Sequence, residues 1–484
     1  MSELHGVETI ELTSGTVAVT TIQTAIIGLV GTAPAVNSGS AATATSGTPI
    51  LDNVVTFTAE TGAAGNNYSV AAVGGTPADN SAAIATSATW ADSVLSITLG
   101  CDADGTITAT PADVVSVVSN IANCPVVATG SGEGVVSAFD VQLTGGADEP
   151  FPLYTPVAVV GTTQITALGS DGTLAEALEE INYQRNALTV VVRVEESATE
   201  TTQRAAILKG ITALSKSKSV TSYHPRILIA PGFSEDDAVG KALETQAGKL
   251  RAVAYVDCAS MATLQEVVLR RQSYGARTEL LRARPQVSND AGELVYRPCS
   301  AFAAGLRARI DYENGWWWSK SNQEIYNILG VEQIDEFILG EENCDANLLN
   351  MQNISTIIRR DGFRHWGNRL CATDTQWRFE SVRRTADVIE DSIQQTMMEY
   401  VDRPLDKENA DDIIETINSY MRSLVSLGAI FGGTAWLDEE LNTVETMAAG
   451  VLYINYDFGP KSPTERISLR VRVNNNYALE ELAA

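Results

Sequence analysis

Positive charge is missing from the first 184 residues: no lysine or arginine precedes Arg185, yet this stretch holds 18 of the chain's 60 acidic groups. Such a segment cannot grip phosphates. The remaining 300 residues carry 33 basic and 42 acidic side chains, so both parts add to the formal charge of -27, and nucleic-acid binding would need a local basic patch. The three histidines, His5, His224 and His365, are too dispersed to spell a metal motif. The six cysteines contain no C-x-x-C pair, which suits buried thiols in a reducing compartment better than a disulfide frame or a zinc site. Long apolar runs are lacking too: none approaches the roughly 18 residues that cross a bilayer. The run TTIQTAIIGLVGTAPA (residues 20–35) has the small-residue ending of a leader peptide, but it follows Glu3, Glu8 and Glu11 where a secretory leader has cations. Neither membrane insertion nor secretion is expected.

Signatures of nucleotide chemistry are also absent. PVAVVG (156–161) is followed by TTQITALG, without G-x-G-x-x-G, and neither Gly240-Lys241 nor Gly248-Lys249 has the upstream glycine of a phosphate-binding loop. Ser234 in GFSED and Ser131 in GSGEG lack the context of a nucleophile elbow. Asp102, Asp104 and Gly105 read as a turn, because a calcium loop would not hold Gly100 and Pro111 at its first and twelfth positions. No catalytic residue, metal ligand or cofactor site is therefore assigned.

What is present is a chain of 484 residues, 44% hydrophobic, long enough for several domains. Residues 37–149 are rich in Gly, Ala, Ser and Thr, have 11 acidic and no basic residues, and contain short β-favouring runs such as NVVTFT (53–58) and SVLSITL (93–99). They read as a small inserted β domain. From residue 150, apolar runs (156–161, 187–194, 226–232, 251–258) alternate with helix-like pieces (174–184, 238–250), the pattern of an α/β domain with a parallel sheet covered on both faces. Beyond residue 346, Ile389, Ile393, Met397, Tyr400 and Val401 fall on one helical face, and Asn409 is placed to cap a second helix with Ile413, Ile417, Met421 and Leu424 as its stripe. The fold class is α/β (α+β overall). The expected divisions are 1–36 (N-terminal arm and first core strand), 37–149 (insert), 150–345 (α/β domain), 346–459 (C-terminal domain) and 460–484 (C-terminal arm). WWW (316–318) reads as packing sooner than as a stacking platform.

Both ends look like strands without a home. In RISLRVRV (466–473), Ile467, Leu469, Val471 and Val473 face one way, and Arg466, Arg470 and Arg472 the other. TIEL (9–12) and TVAVT (16–20), with Val7, Ile10, Glu11, Leu12, Val17 and Val19, form an acidic counterpart. Exposed strands invite pairing with another chain, although an ordinary sheet within the chain would use the same pattern.

The stretch RRDGFRHWGNR (359–369) then becomes informative. GFRHWGNR (362–369) followed by TQWRFESVRRTADVIEDSI (375–393) resembles the C-terminal signature of phage contractile tail sheath proteins. HGVETIEL (5–12) with TAIIGLVGTAP (24–34) resembles that family's opening, and AAGVLYINYDFGPKSPTERISLRV (448–471) its ending. FPLYTP (151–156) resumes the similarity after the insert. The resemblance implies a structural subunit of hexameric rings stacked helically around a tail tube, bounded by baseplate and tail terminator proteins. Such a sheath contracts to drive the tube through the host envelope, belongs to a virion tail assembled in the host cytoplasm, and needs no direct nucleic-acid contact and no enzymatic step. Its terminal arms would add strands to neighbouring copies. Arg360, Gly362, Trp366, Gly367, Arg369, Trp377, Arg383 and Arg384 would then serve packing and ion pairs. The rival reading is an α/β enzyme that binds a nucleotide or a sugar.

Overall fold

The computed structural model describes residues 18–36, 38–77, 82–161, 164–289 and 291–483. The chain forms two compact units, one comprising Pro34–Pro152 with Ala167–Gly169, and the other the described residues up to Ala33 with Leu153–Thr166 and the chain from Ser170 onward.

The larger unit is built on an eight-stranded sheet. Its strands are β1 (Ile27–Thr32), β2 (Pro156–Val159), β3 (Thr189–Val194), β4 (Ile227–Ile229), β5 (Val253–Asp257), β6 (Thr278–Leu281), β7 (Ile354–Arg359) and β8 (Phe363–Trp366). The order across the sheet is β8-β7-β6-β5-β4-β1-β3-β2, and β3, β1, β4, β5, β6 and β7 run parallel. Every residue of IGLVGT in β1 is buried, as expected of a central strand with both faces covered. The expected parallel sheet is thus found, except that PVAVVG supplies an antiparallel edge strand. Pro156 has no N–H to give a second neighbour, so an edge suits it.

Helices α1 (Leu174–Gln184), α2 (Glu200–Ala213), α3 (Asp237–Leu250), α4 (Leu264–Arg271) and α5 (Cys299–Glu313) fill the connections. On α2, Gly210 lets the helix approach the sheet closely: a Cβ there would stand 2.4 Å from Val194 and 2.8 Å from Val30. Val30, Val192, Ile207, Ile211, Leu243 and Leu280 form one continuous core. Every residue of α5 from Cys299 to Ile310 is buried.

Beyond the sheet, α6 (Glu380–Met397) and α7 (Lys407–Leu427) pack with the antiparallel pair β9 (Ile430–Leu437) and β10 (Ile454–Pro460). The expected core face holds at Ile389 and Ile393 and at Ile413, Ile417, Met421 and Leu424. Val401 is exposed instead, because α6 ends at Met397 and the helical register lapses. The cap of α7 is Asp406, whose carboxylate accepts from the Asn409 N–H at 2.8 Å; Asn409 lies inside the first turn. The expected boundary at 345/346 does not coincide with an edge of the sheet, since β7 and β8 follow it, β7 pairing with β6 and β8 with β7.

The smaller unit holds a three-stranded and a four-stranded sheet around Phe57, Leu95, Ile97, Leu99 and Leu143. It also contains a helix, Pro111–Ser119, started by a capping box between Thr110 and Asp113. At the anticipated turn, Gly105 has φ +82 and the Asp102 carboxylate accepts from the N–H groups of Asp104 and Thr106.

Candidate assembly surfaces and a buried charge network

RRDGFRHWGNR is the hairpin between β7 and β8 and the chain that leaves it. Asp361 (φ +48) and Gly362 (φ +101) make its turn. Gly367 has φ +150, and a Cβ on it would lie 2.2 Å from the Ser355 hydroxyl, so only glycine fits. Trp366 meets Phe337 edge to face at 5.0 Å. The arginines have different fates. Arg369 forms a fork with Glu465 at 2.7 and 2.5 Å. Arg364 donates to the carbonyls of Arg360 and Asn322. Arg359 and Arg360 are exposed, with Arg359 lying over the Phe363 ring.

His365 points inward and reveals a cluster invisible in the sequence. Its Nε2 lies 3.0 Å from Glu279 Oε1, which also accepts from Ser355 Oγ at 2.7 Å. Lys320 bridges Glu279 and Glu380, and Tyr255 donates to Glu380. Close by, Asp311 accepts from Arg384 at 2.7 and 2.5 Å and from Arg307 at 2.7 Å. Glu279, Lys320, Arg307, His365, Glu380 and Arg384 are all buried, and three carboxylates balance Lys320, Arg307 and Arg384. Burial alone would raise the Glu279 carboxyl, but Lys320 and His365 bring it down to about 2. Glu380 and Asp311 are likewise lowered against burial, by Lys320 and by Arg384 respectively. Histidine, serine and carboxylate meet here, but the serine hydroxyl bonds the carboxylate and not the imidazole, so the geometry is not that of an activated nucleophile. The cluster ties β5, β6, β7, β8, α5 and α6 together.

A second row of charge runs along α6. Arg226, Arg251 and Arg277 stand just before β4, β5 and β6, at the same edge of three neighbouring parallel strands. Asp391 pairs with both Arg226 and Arg251, Glu390 lies 3.6 Å from Arg251, and Asp387 accepts from Arg277 at 2.8 Å. Arg383 reaches Asp387 at 3.2 Å and lies over Trp377 at 4.6 Å. Arg383, Arg384 and Trp377 were named from the sequence; Asp387 and Asp391 were not, although the spacing 383, 387, 391 is one helical face.

Of the terminal strand residues, Val7, Ile10, Glu11, Leu12 and Val17 lie outside the described residues. Val19 is half-buried against the core of α6 and α7, and the chain is pinned there where the Ile22 N–H meets Ser392 and the Thr24 carbonyl accepts from Arg384. At the other end, residues 461–474 form no strand pairing among the described residues. Ile467, Leu469, Val471 and Val473 are 76%, 89%, 96% and 85% exposed, and Arg470 and Arg472 are exposed as well. The pair β9–β10 is a two-stranded sheet whose outer edges have no strand beside them among the described residues. Also among the described residues, no group of three His, Cys, Asp or Glu could hold a metal ion, and no helix is long and apolar enough to cross a membrane.

Residues 213–370 match the family model described as phage tail sheath protein central domain, and residues 372–474 that of the phage tail sheath C-terminal domain. The tail sheath protein of Escherichia phage P2 is 36% identical over 348 residues, covering 68% of this chain and 87% of that protein. A putative prophage major tail sheath protein of Pseudomonas aeruginosa is 35% identical over 361 residues, covering 72% and 93%. Among solved structures, the helical sheath of the anti-feeding prophage in its contracted state has a similar fold, with a TM-score of 0.54 at 18% identity over 66% of this chain and 89% of that one. Fold and relatives define a structural subunit of a contractile sheath. The chain belongs to the phage tail sheath protein family.

Proposed function

We propose that copies of this chain stack as hexameric rings around a tail tube, between a baseplate and a tail terminator, and shorten to drive the tube through the host envelope. The sheath belongs to a virion tail and assembles in the host cytoplasm, without membrane insertion, direct nucleic-acid contact or a catalytic step. The terminal segments link the lattice by adding strands to neighbouring copies, and the free edges of β9–β10 are their acceptors. One observation carries this reading: an alternating strand sequence at 466–473 pairs with no strand among the described residues, and its four apolar side chains are exposed. Burying them would recover on the order of 1.5–3 kcal/mol per side chain, which favours a partner over the solvated state. The named residues of the β7–β8 hairpin and α6 act by holding the body rigid while the linkers move.

Removing residues 466–484 tests the proposal. The shortened chain should melt at the same temperature as the intact one yet form no hollow cylinders in electron micrographs. Cylinders of normal length would overturn it.

A further inference from the structure

After β1 the chain reaches β3 through α1, and after β3 it returns through α2 to β4 on the other side of β1. The two crossovers lie on opposite faces of the sheet. On β1, a Cβ at Gly28 would meet Leu214 at the end of α2, whereas one at Gly31 would stand 2.4 Å from Thr173 and 3.0 Å from Leu174 at the start of α1. Open α/β sheets hold their ligands outside the carboxyl ends of the strands at such a point, where successive connections part. A cavity of about 170 Å³ lies there. Thr173, whose N–H meets the last carbonyl of β1, lines it with Glu180, with Gly232 just past β4, with Arg284 just past β6, and with Arg297 and Ala301 at the start of α5. It falls below the roughly 300–1,000 Å³ of sites for drug-sized ligands, so its occupant is small.

Several polar atoms of the lining lack partners. Glu180 is only 4% exposed, yet its Oε2 has no hydrogen bond among the described residues, and neither has the Nε of Arg284 or of Arg297. Buried polar groups are costly to leave unpaired, so the space between them calls for a polar occupant. Charge decides its sign. Burial keeps the Glu180 carboxyl protonated up to about pH 8, with Arg297 favouring its ionisation and Glu179 and Glu176 opposing it. Of the lining groups, Arg284 and Arg297 are then cationic and Glu176 alone is anionic. Glu176 is engaged by Arg297, and Arg284 is held by Glu235 and Glu332 from outside the lining. Helices α1 and α5 both start here, at Thr173 and Pro298, without a side-chain cap, so their first N–H groups add positive potential; one of them, that of Ser300, goes to Asp257. Glu176 is half-exposed, which leaves a way in from solvent. We propose that this cavity binds a small oxyanion, a short carboxylate or a tetrahedral inorganic anion, held by the Nε groups of Arg284 and Arg297 and by the Glu180 carboxyl. A protonated Glu180 donates to the anion, and an ionised one repels it. No lining residue belongs to the β7–β8 hairpin, α6 or either terminal segment, so the site does not depend on how copies are linked.

Sodium acetate and sodium sulfate probe the two chemistries, since neither anion titrates where Glu180 does. In the full-length, unassembled chain at least one of them should raise the melting temperature with a saturable dependence on concentration, which sodium chloride at equal ionic strength does not reproduce. Acetate alone would mark a carboxylate site, sulfate alone a tetrahedral-anion site, and both the shared chemistry. The affinity should hold steady below about pH 7 and fall by up to about tenfold per pH unit above about pH 8. Glu180→Gln keeps a donor in place, so that chain should bind without the fall, and Arg297→Gln should weaken binding about tenfold or more, each shift being taken against the same chain without the anion. The inference is overturned if neither anion saturates beyond the chloride control, in which case the cavity holds water, if Arg297→Gln binds as the parent does, or if Glu180→Gln keeps the parent's pH dependence. That last comparison decides by itself should Arg297→Gln not fold.

Discussion

Lys320 is buried between two carboxylates, whereas Glu180 is buried beside a single cation, Arg297, whose pull is weaker than the effect of burial. The contrast separates two kinds of internal charge. Around Lys320 each charge has an opposite partner, so removing one would leave the others stranded, an effect on the order of 3–5 kcal/mol. Glu180, on α1, faces a cavity of about 170 Å³ lined also by Thr173, Glu176, Arg284 and Arg297. Burial pushes its carboxyl up to about 8, against the pull of Arg297, whose Nε is 3.6 Å away while its Nη1 is engaged by Glu176. Folded chains thus keep a proton that unfolded chains lose near the ordinary value of 4.5. The stability linked to this group is complete below about pH 4.5 and is lost as pH rises to about 8, at about 1.4 kcal/mol per pH unit. Glu180→Gln should remove that component, so urea titrations between pH 5 and pH 8 should show a flatter slope than the parent; equal slopes would refute the assignment. None of this was legible in the sequence, where Glu179-Glu180 is one acidic pair on an amphipathic helix. Which of two adjacent carboxylates turns inward depends on what packs against the helix.

At the scale of elements, α6 does the work of a clasp. Its apolar side, Ile389 and Ile393, was readable from helical spacing, since burial of a stripe leaves a period in the sequence. Its polar side is packed against the edge of the sheet, where Asp387 and Asp391 close the row Arg277, Arg251, Arg226, partners that helical spacing alone does not name. Asp387→Asn should leave Arg277 without its charge partner and cost roughly 2–4 kcal/mol in urea unfolding of the unassembled chain. A cost no greater than that of an exposed substitution would mean the clasp is ornamental. The β7–β8 hairpin divides similarly: its turn was marked by Asp361-Gly362, whereas the inward aim of His365 follows from pairing β7 with β6, over seventy residues earlier in the chain.

For the whole molecule, the insert has its own core around Phe57, Leu95 and Leu143, and its foreign composition marked it in the sequence. Replacing residues 37–149 with a short Gly/Ser linker should leave the remaining unit cooperatively folded by circular dichroism. If the insert's 11 acidic groups keep particles apart, assemblies lacking it should clump at low salt in light scattering; unchanged scattering would remove that role. The sequence by itself determined the local matters: strand and helix periods, the foreign composition of the insert, the alternating pattern at the C-terminal end and the motif of the family, because each is written in neighbouring residues. Only the tertiary structure decided that β2 runs antiparallel at the edge, that Lys320 is enclosed by Glu279 and Glu380, that the arginines before three strands meet one helix, and that Glu180, Arg284 and Arg297 line one cavity. These join residues far apart in the chain, and their pairing is set by the packing of the sheet, which no local pattern encodes.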